Sequence, residues 1–153
     1  MVLYNGVAPA YNDYYQVMLD GNDGSLQFID SIGAINFASA NAVDLNNDGR
    51  DEGVFSITFF DNGYFTTQVK SIDFTNDTIL NLDQVRTGVN IASTPLISDI
   101  DNNGVLDLVY SVKKDSLNPM GWSGINVFRH ELQSIIPNSG IAWGSYLGTN
   151  FNG

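Results

Sequence analysis

The sequence predicts an all-β chain, and three observations support that class. Apolar residues make up 43% of the 153 residues, which is enough for a folded core and excludes a disordered chain. Glycine is frequent, with 15 residues, and aromatic residues account for 12%. Asn-Gly and Asp-Gly pairs, which favour tight turns, recur at 5–6, 20–21, 23–24, 48–49, 62–63 and 103–104.

The first predicted element is a hairpin near the N-terminus. Residues 14–19 and 25–29 have the composition of strands, and they flank a turn at 20–24 that is rich in Asp, Asn and Gly. We interpret this hairpin as the outer half of a repeated unit whose beginning is missing.

A complete unit is predicted next. An extended segment at 37–43 precedes a polar loop, and a hairpin formed by 54–60 and 64–72 follows it. The polar connection at 73–90 has room for one further short strand at 78–82. The unit therefore contains four short strands with a loop between the first two.

The same order of elements then begins again. Residues 91–112 restate 37–57 with one extra residue before the loop, and 124–129 supply another strand. The two loops start 55 residues apart. A repeat of this length, built from four short strands, is typical of a propeller blade or a similar array.

The loops of the two units, 44–52 and 99–107, share one pattern of oxygen-bearing side chains. Glycine stands at position 6 of each loop, and position 7 would add a backbone carbonyl, from Arg50 or Val105. Calcium takes six to eight oxygen ligands, so a short loop with a sharp turn suits it. The predicted side-chain ligands, at positions 1, 3, 5 and 9, are Asp44, Asn46, Asp48, Glu52, Asp99, Asp101, Asn103 and Asp107.

Two other interpretations of these loops were compared with calcium binding. An EF-hand needs a twelve-residue loop between two helices, whereas the flanking segments here are typical of strands. A turn rich in Asn, Asp and Gly can also cap its own backbone without any metal. Because the pattern occurs twice with its flanking sequence, calcium binding is the favoured interpretation.

The loop pattern, Asp-x-Asn/Asp-x-Asp/Asn-Gly-x-x-Asp/Glu, supports a family resemblance. With an Ala-Ser or Ser-Thr-Pro strand before it and a Val-rich strand after it, residues 35–130 resemble the FG-GAP or VCBS repeats of integrin-α-type calcium-binding β-propellers. The resemblance implies one calcium per blade in this loop. Glu52 replaces the usual Asp, and Asn103 lowers the charge of the second loop.

The resemblance implies a division of the chain into blades. Residues 1–34 would be a partial blade, 35–90 and 91–136 would be blades with one calcium loop each, and 137–153 would be a tail or the start of another segment. The tail from Ile141 resembles a segment that follows the last blade in bacterial secreted propellers.

The number of blades raises a question about the complete protein. Closed propellers have about four to eight blades, and this chain has room for about two to three. We expect a fragment of a larger propeller; the alternatives are assembly from several copies and an open array with exposed edges.

Composition argues against a nucleic-acid partner, cysteine-based sites and a membrane span. A formal charge of -11 argues against a nucleic-acid partner, because phosphate binding requires a basic surface. No cysteine is present, so neither disulfides nor a thiolate zinc site can form. No apolar segment approaches the ~18 residues of a membrane span.

The calcium interpretation predicts an extracellular or cell-surface location, where calcium is plentiful enough to fill weak sites. Residues 1–10 have no basic region and no apolar segment of signal-peptide length. We therefore expect the sequence to be an excerpt of a longer secreted precursor.

Catalytic motifs are not evident in the sequence. His130 is the only histidine, and with Arg129 and Glu131 it is predicted to form a solvated strand end. Aromatic residues in strand segments are predicted to pack between sheets: Phe55, Phe59, Phe60, Phe65 and Tyr110. Others near turns or termini would either pack between blades or line a binding rim: Tyr11, Tyr14, Tyr15, Trp122, Trp143 and Tyr146.

Three functions are consistent with these observations. The favoured one is a non-catalytic, calcium-stabilised propeller segment that binds a protein or glycan ligand in cell adhesion. The second is an accessory or catalytic part of a carbohydrate-active enzyme or lectin, which rests on fold analogy. The third is a structural unit that assembles with other copies of the chain or with the remaining blades.

Overall fold

The computed structural model describes residues 2–4, 14–33, 38–135, 140–141 and 144–145. Within these ranges the chain forms eleven strands in three antiparallel sheets, and none of these residues is helical. The prediction of an all-β chain is confirmed. No helix with the length and apolar character of a membrane span occurs in the described part of the chain.

The first sheet contains β1 (Val2–Tyr4), β2 (Tyr14–Leu19) and β3 (Leu26–Gly33), paired in that order. β2 and β3 are the predicted hairpin. Its turn is closed by the backbone N–H of Asp20, which donates to the carbonyl of Ser25 at 2.9 Å.

The middle sheet is the largest. Its strands are β4 (Asn41–Val43), β5 (Glu52–Asp61), β6 (Tyr64–Asp73), β7 (Thr78–Asn81) and β8 (Arg86–Thr87). They run in the order β4-β5-β6-β7, and β8 also pairs with β6. The predicted long hairpin and the short fourth strand are confirmed. β8 was not predicted, and β4 is shorter than the predicted segment, whose first residue, Phe37, lies outside the described residues.

The third sheet contains β9 (Leu96–Ser98), β10 (Val105–Lys113) and β11 (Ile125–Ile135), in the order β11-β10-β9. The prediction that this last strand ends at Arg129 is wrong, because β11 continues for six more residues and stays paired with β10 as far as Val105. The charged residues at 129–131 therefore lie within a strand, beside the second loop.

Two apolar clusters lie between the sheets. One joins the first and middle sheets through Phe28, Phe55, Ile57 and Ile72. The other joins the middle and third sheets and consists of Val43, Val54, Val69, Ile97, Leu106, Leu108, Tyr110, Val112 and Leu132. Each long strand of the middle sheet contributes to both clusters, since successive side chains point to opposite faces.

The predicted packing of the aromatic residues holds only in part. Phe55 and Tyr110 are buried, and Phe59 packs against the cluster between the first and middle sheets. Phe60, however, is 40% exposed and packs against Phe65, with ring centroids 4.7 Å apart and ring planes tilted by 50°. These two rings lie at the end of the β5–β6 hairpin, beyond the edge of the core.

Some sequence predictions fall outside the described residues. These include Tyr11, Trp143, Tyr146 and most of the tail. Within the tail, Ile141 packs against the cluster between the middle and third sheets, and the carbonyl of Gly144 accepts a hydrogen bond from the Ile97 N–H at 2.7 Å. The described sheets do not close into a ring, so the blade count and the predicted boundaries stay predictions.

Candidate metal centres

Each predicted loop joins the two strands that begin its sheet. The first loop leaves β4 after Val43 and ends at Glu52, the first residue of β5. The second leaves β9 after Ser98 and ends at Asp107, in β10. The strand-loop-strand context predicted from the sequence is therefore present at both places.

The two loops share a backbone hydrogen-bond pattern. Asp44, at position 1, accepts from the backbone N–H groups of positions 5 and 6 at 3.1 and 2.9 Å. Asp99 accepts from the same two positions, both at 3.0 Å. At position 9, Glu52 and Asp107 each accept from the N–H of position 2, at 2.6 and 3.0 Å. These bonds hold the carboxylates facing the inside of each loop.

Left-handed backbone conformations occur at equivalent positions. At position 4, φ is +60° for Asn47 and +58° for Asn102; at position 6, it is +90° for Gly49 and +86° for Gly104. Glycine adopts this conformation without steric cost, and asparagine tolerates it better than most residues do. The glycine pattern read from the sequence therefore marks real turns.

Three carboxylates converge in each loop. Oxygen atoms of Asp44, Asp48 and Glu52 lie within 4.8 Å of one another, and so do oxygen atoms of the second set, which consists of Asp99, Asp101 and Asp107. Either group can hold a metal ion. The predicted backbone ligands, Arg50 and Val105, stay predictions.

The asparagines at the remaining positions face the carboxylates with their amide nitrogens. The Asn46 Nδ2 donates to Glu52 Oε1 at 3.1 Å, and the Asn103 Nδ2 donates to Glu131 Oε2 at 2.8 Å. Their Oδ1 atoms accept backbone N–H bonds at 2.8 Å within the loops. As metal ligands, Asn46 and Asn103 therefore stay predictions.

The first loop is an acidic site with a buried centre. Asp44 and Glu52 are both 4% exposed. Burial raises the pKa of Glu52, and repulsion from Asp73, Asp44 and Asp48 raises it further, although the Leu45 N–H opposes this. Among the described residues, no Lys or Arg forms an ion pair with these carboxylates. Repulsion among these three carboxylates is therefore opposed by backbone N–H groups and not by a paired cation.

Asp73 is a fourth carboxylate of the first site that the sequence did not reveal. It ends β6, directly after Ile72, which pairs with Gly53 next to the loop. Its Oδ2 accepts a hydrogen bond from Asn46 Nδ2 at 3.4 Å, and bonds from Asn76 hold the pKa of Asp73 below its ordinary value. Asp73 is ionised and faces the loop from the neighbouring strand.

A cavity of about 190 Å³ adjoins the first site. Polar side chains on its wall include Asn46, Glu52, Ser71 and Asp73, and Leu80 and Leu82 close its apolar side. The space beside these carboxylates is thus partly enclosed by the β7 region.

The second loop has a cation of its own. The guanidinium of Arg129 forms a two-pronged contact with Asp107, with Nε donating to Oδ1 at 2.8 Å and Nη2 to Oδ2 at 2.9 Å. Nη2 also donates to Asp101 Oδ2. Asp107 is fully buried, and these bonds outweigh its burial and lower its pKa. Two of the three converging carboxylates therefore share one compensating positive charge that the protein itself supplies.

Strand register shows that the two sites differ at one equivalent position. Arg129 lies opposite Val109, two residues after the second loop. The residue opposite Val54, two residues after the first loop, is Ser71. The second site has an arginine where the first has a serine beside a cavity.

The donor chemistry of both sites fits calcium. All converging ligand atoms are carboxylate oxygens, and the chain contains no cysteine. Hard divalent cations such as calcium prefer such oxygen donors. In the second site the Arg129 guanidinium pairs with Asp101 and Asp107, which indicates that these carboxylates attract a positive charge.

A separate polar cluster connects the middle and third sheets. Burial works against the ionised Asp83 carboxylate, but bonds from Arg86 and Tyr110, both at 2.8 Å, outweigh it and lower the pKa of Asp83. The guanidinium of Arg86 stacks on Phe128, 4.3 Å from the ring centroid. His130 is exposed, with Nδ1 4.0 Å from Asp83 Oδ1, and lies within β11 rather than at a strand end.

Comparison of the chain with protein-family models, curated proteins and solved structures finds no match. The resemblance to FG-GAP and VCBS repeats therefore stays a prediction that rests on the duplicated loop.

Proposed function

We propose that this chain is a calcium-stabilised segment of a β-propeller that binds a protein or glycan ligand at a cell surface or in a secreted protein, without catalysis. The duplicated loop is the observation that carries the proposal. In both copies three carboxylates converge within 4.8 Å at the junction of the first two strands of a sheet. A turn rich in Asn, Asp and Gly that only caps its own backbone would not require three carboxylates to converge in both loops.

The role proposed for calcium is structural. Asp44 follows β4 and Glu52 begins β5, so one site connects two strands. Asp73 adds a third strand, β6. A bound divalent ion supplies positive charge that offsets repulsion among these carboxylates. The residues of the site hold their positions through the backbone bonds of the loop, so the strand junction is organised in advance.

Chelation tests this proposal directly. We expect calcium at about 100 times its Kd to stabilise the protein by about 2.7 kcal/mol, which raises Tm by about 5–10 °C relative to EDTA. Asp44→Ala and Asp99→Ala should each reduce that rise. Magnesium at equal concentration serves as the control cation. An identical Tm in EDTA and calcium, with both variants equally silent, would contradict the proposal.

An exposed apolar group supports a binding role. The connection between β10 and β11 carries Leu117, Met120 and Trp122, which are 76%, 81% and 69% exposed. Exposed Trp is enriched at contact surfaces. This group lies at the end of β10 opposite the second loop. A rigid calcium site would thus support the strands that present the group.

The binding role is tested with the parent protein on a glycan array and a panel of immobilised extracellular proteins. Trp122→Ala should abolish the strongest signal while Tm in calcium stays unchanged. Leu26→Ala, at a residue 58% exposed on β3, is a matched apolar control. Equal binding by wild type and Trp122→Ala would remove this group from the proposal.

Assembly with other blades or copies is a second candidate, favoured by an open strand edge. β6 is covered by β7 and β8, whereas β11 ends its sheet among the described residues. Val127 on β11 is 70% exposed. Edge strands of this kind pair readily with another chain. Mass photometry at micromolar concentration tests the candidate, and a uniform monomer would rule out self-assembly.

A further inference from the structure

Arg129 distinguishes two sites that are otherwise closely matched. Each loop has three converging carboxylates and one asparagine among its four predicted side-chain donors. The backbone bonds and left-handed residues also correspond position by position. Three of the predicted donors are carboxylates in both loops, so the number of carboxylate donors cannot make one site bind a cation more strongly than the other.

The neighbouring strand supplies the difference. Val54 and Val109 each lie two residues after a loop. Val54 pairs with Ser71, whereas Val109 pairs with Arg129. Asp73 and Glu131 lie two residues further along their strands, and each accepts a bond from a loop asparagine. Both sites thus have a fourth carboxylate on the neighbouring strand. The first site also has Arg50, whose charge helps to lower the pKa of Asp73, but only Arg129 pairs with converging carboxylates of its loop.

The Arg129 contacts occupy carboxylate oxygens that a metal would need. Its guanidinium bonds both oxygens of Asp107 and one oxygen of Asp101. A divalent ion that enters the second site must displace these bonds or share the oxygens with a positive charge. Among the described residues, no positive charge pairs with the three carboxylates of the first site, and Glu52 and Asp73 line the cavity beside Ser71.

We infer that Arg129 is a built-in counter-ion that competes with calcium at the second loop, so that the two loops fill in sequence, the first before the second. This inference depends on the proposed calcium binding. The arginine keeps the second strand junction formed when calcium is scarce, whereas the first junction is the one that responds to calcium. The chain would then combine one calcium-dependent and one calcium-independent junction.

The size of the competition follows from exposure and charge. Like charges repel, so the Arg129 guanidinium and a divalent ion disfavour each other at the same carboxylates. The Arg129 side chain is 44% exposed, so solvent screens much of this interaction. We therefore expect a difference of about tenfold in calcium affinity between the sites, equivalent to ~1.4 kcal/mol.

Site-specific NMR tests the inference on the complete chain. The amides of Gly49 and Gly104 donate to Asp44 and Asp99, so each glycine signal reports on one loop. In a calcium titration of EDTA-treated protein, Gly49 should reach its midpoint at a calcium concentration about tenfold lower than Gly104. This order is measured in the wild type and needs no variant.

Substitution of the arginine then isolates its effect. Arg129→Gln should lower the Gly104 midpoint about tenfold and leave the Gly49 midpoint unchanged. Arg129→Lys keeps the charge but loses the two-pronged contact, so it should shift Gly104 by a smaller factor. Lys114→Gln removes one positive charge from an exposed residue at the far end of β10, and it should move neither midpoint.

The outcomes separate this inference from the proposed function. If neither glycine responds to millimolar calcium, the calcium proposal itself fails. If both respond together in the wild type, or if Gly104 keeps its midpoint in Arg129→Gln and Arg129→Lys, calcium binding stands and the role of Arg129 is overturned. Should Arg129→Gln not fold, the wild-type order and the lysine variant still decide the matter.

Discussion

The first and second loops share their backbone hydrogen bonds and left-handed positions but differ in how the charge of their carboxylates is balanced. Both place carboxylates inward from positions 1 and 9. The first leaves its carboxylates to repel one another, and this repulsion adds to burial in raising the pKa of Glu52. The second pairs Asp107 and Asp101 with Arg129, and the pKa of Asp107 falls. One motif thus forms two electrostatically different sites.

The contrast continues along the strands that follow the loops. Three residues beyond position 9, β5 carries Phe55 and β10 carries Tyr110. Both rings belong to apolar clusters, but the Tyr110 ring also carries a hydroxyl, which donates to Asp83. The contact between the middle and third sheets therefore relies more on polar and charged pairs than the contact between the first and middle sheets does. Four experiments can break or sharpen this comparison.

The largest expected effect concerns position 9 without calcium. Asp107→Asn should cost about 2 kcal/mol of unfolding free energy in EDTA, because it weakens charge-assisted bonds to a buried group. Glu52→Gln should be neutral or stabilising in EDTA, because it relieves repulsion among Glu52, Asp73 and Asp44. Urea denaturation measures both. Equal losses in the two variants would mean that the loops do not differ in charge balance.

The second experiment repeats these measurements with excess calcium. Glu52→Gln should remove about half or more of the calcium-induced stabilisation, or about 1–2 kcal/mol. Asp107→Asn should remove less, because the second loop gains less from calcium. Differential scanning calorimetry in calcium and in EDTA gives the comparison. A larger calcium effect at Asp107 than at Glu52 would reverse our assignment of the two sites.

The third experiment uses pH. Burial and the bond to Asp83 raise the pKa of Tyr110 to about 12, from an ordinary value of 10.0. Neutral Tyr110 therefore contributes stability that is fully present below about pH 10 and is lost as pH rises through about 12. Tyr110→Phe should cost about 1 kcal/mol at pH 7 and should lack this alkaline loss.

The control for Tyr110→Phe is Tyr64→Phe, at a tyrosine 42% exposed at the end of the β5–β6 hairpin. It should follow the wild-type pH profile. If Tyr110→Phe loses stability between pH 10 and 12 as steeply as the wild type does, Tyr110 is not the titrating group.

The smallest expected effect is at position 5. Asp48→Asn keeps an acceptor for the Arg50 N–H, now bonded at 2.9 Å, and removes one exposed charge. It should change metal-free stability by about 0.5 kcal/mol or less. It should also raise the Gly49 calcium midpoint several-fold, and Asn103→Asp should lower that of Gly104. Unchanged midpoints in both variants would show that position 5 does not contact the ion.

The sequence predicted the elements that depend on nearby residues. The hairpins of β2–β3 and β5–β6, the short strand β7 and the turns at both loops all follow from local turn residues and strand composition. The loop carboxylates were recognised for the same reason, since their spacing along nine residues decides which side chains can meet. The predicted strand end at Arg129 failed because no turn residue or change of composition marks how far β11 extends.

What the sequence determined by itself is the presence of two acidic loops between strands, because a short backbone path and its glycine constrain the donors. What only the tertiary structure decided is which charges face those donors. Arg129 is 22 residues from Asp107 and 28 from Asp101, and Asp73 is 27 from Asn46. Such contacts depend on strand register, which arises from the packing of whole sheets and is not encoded in any local pattern.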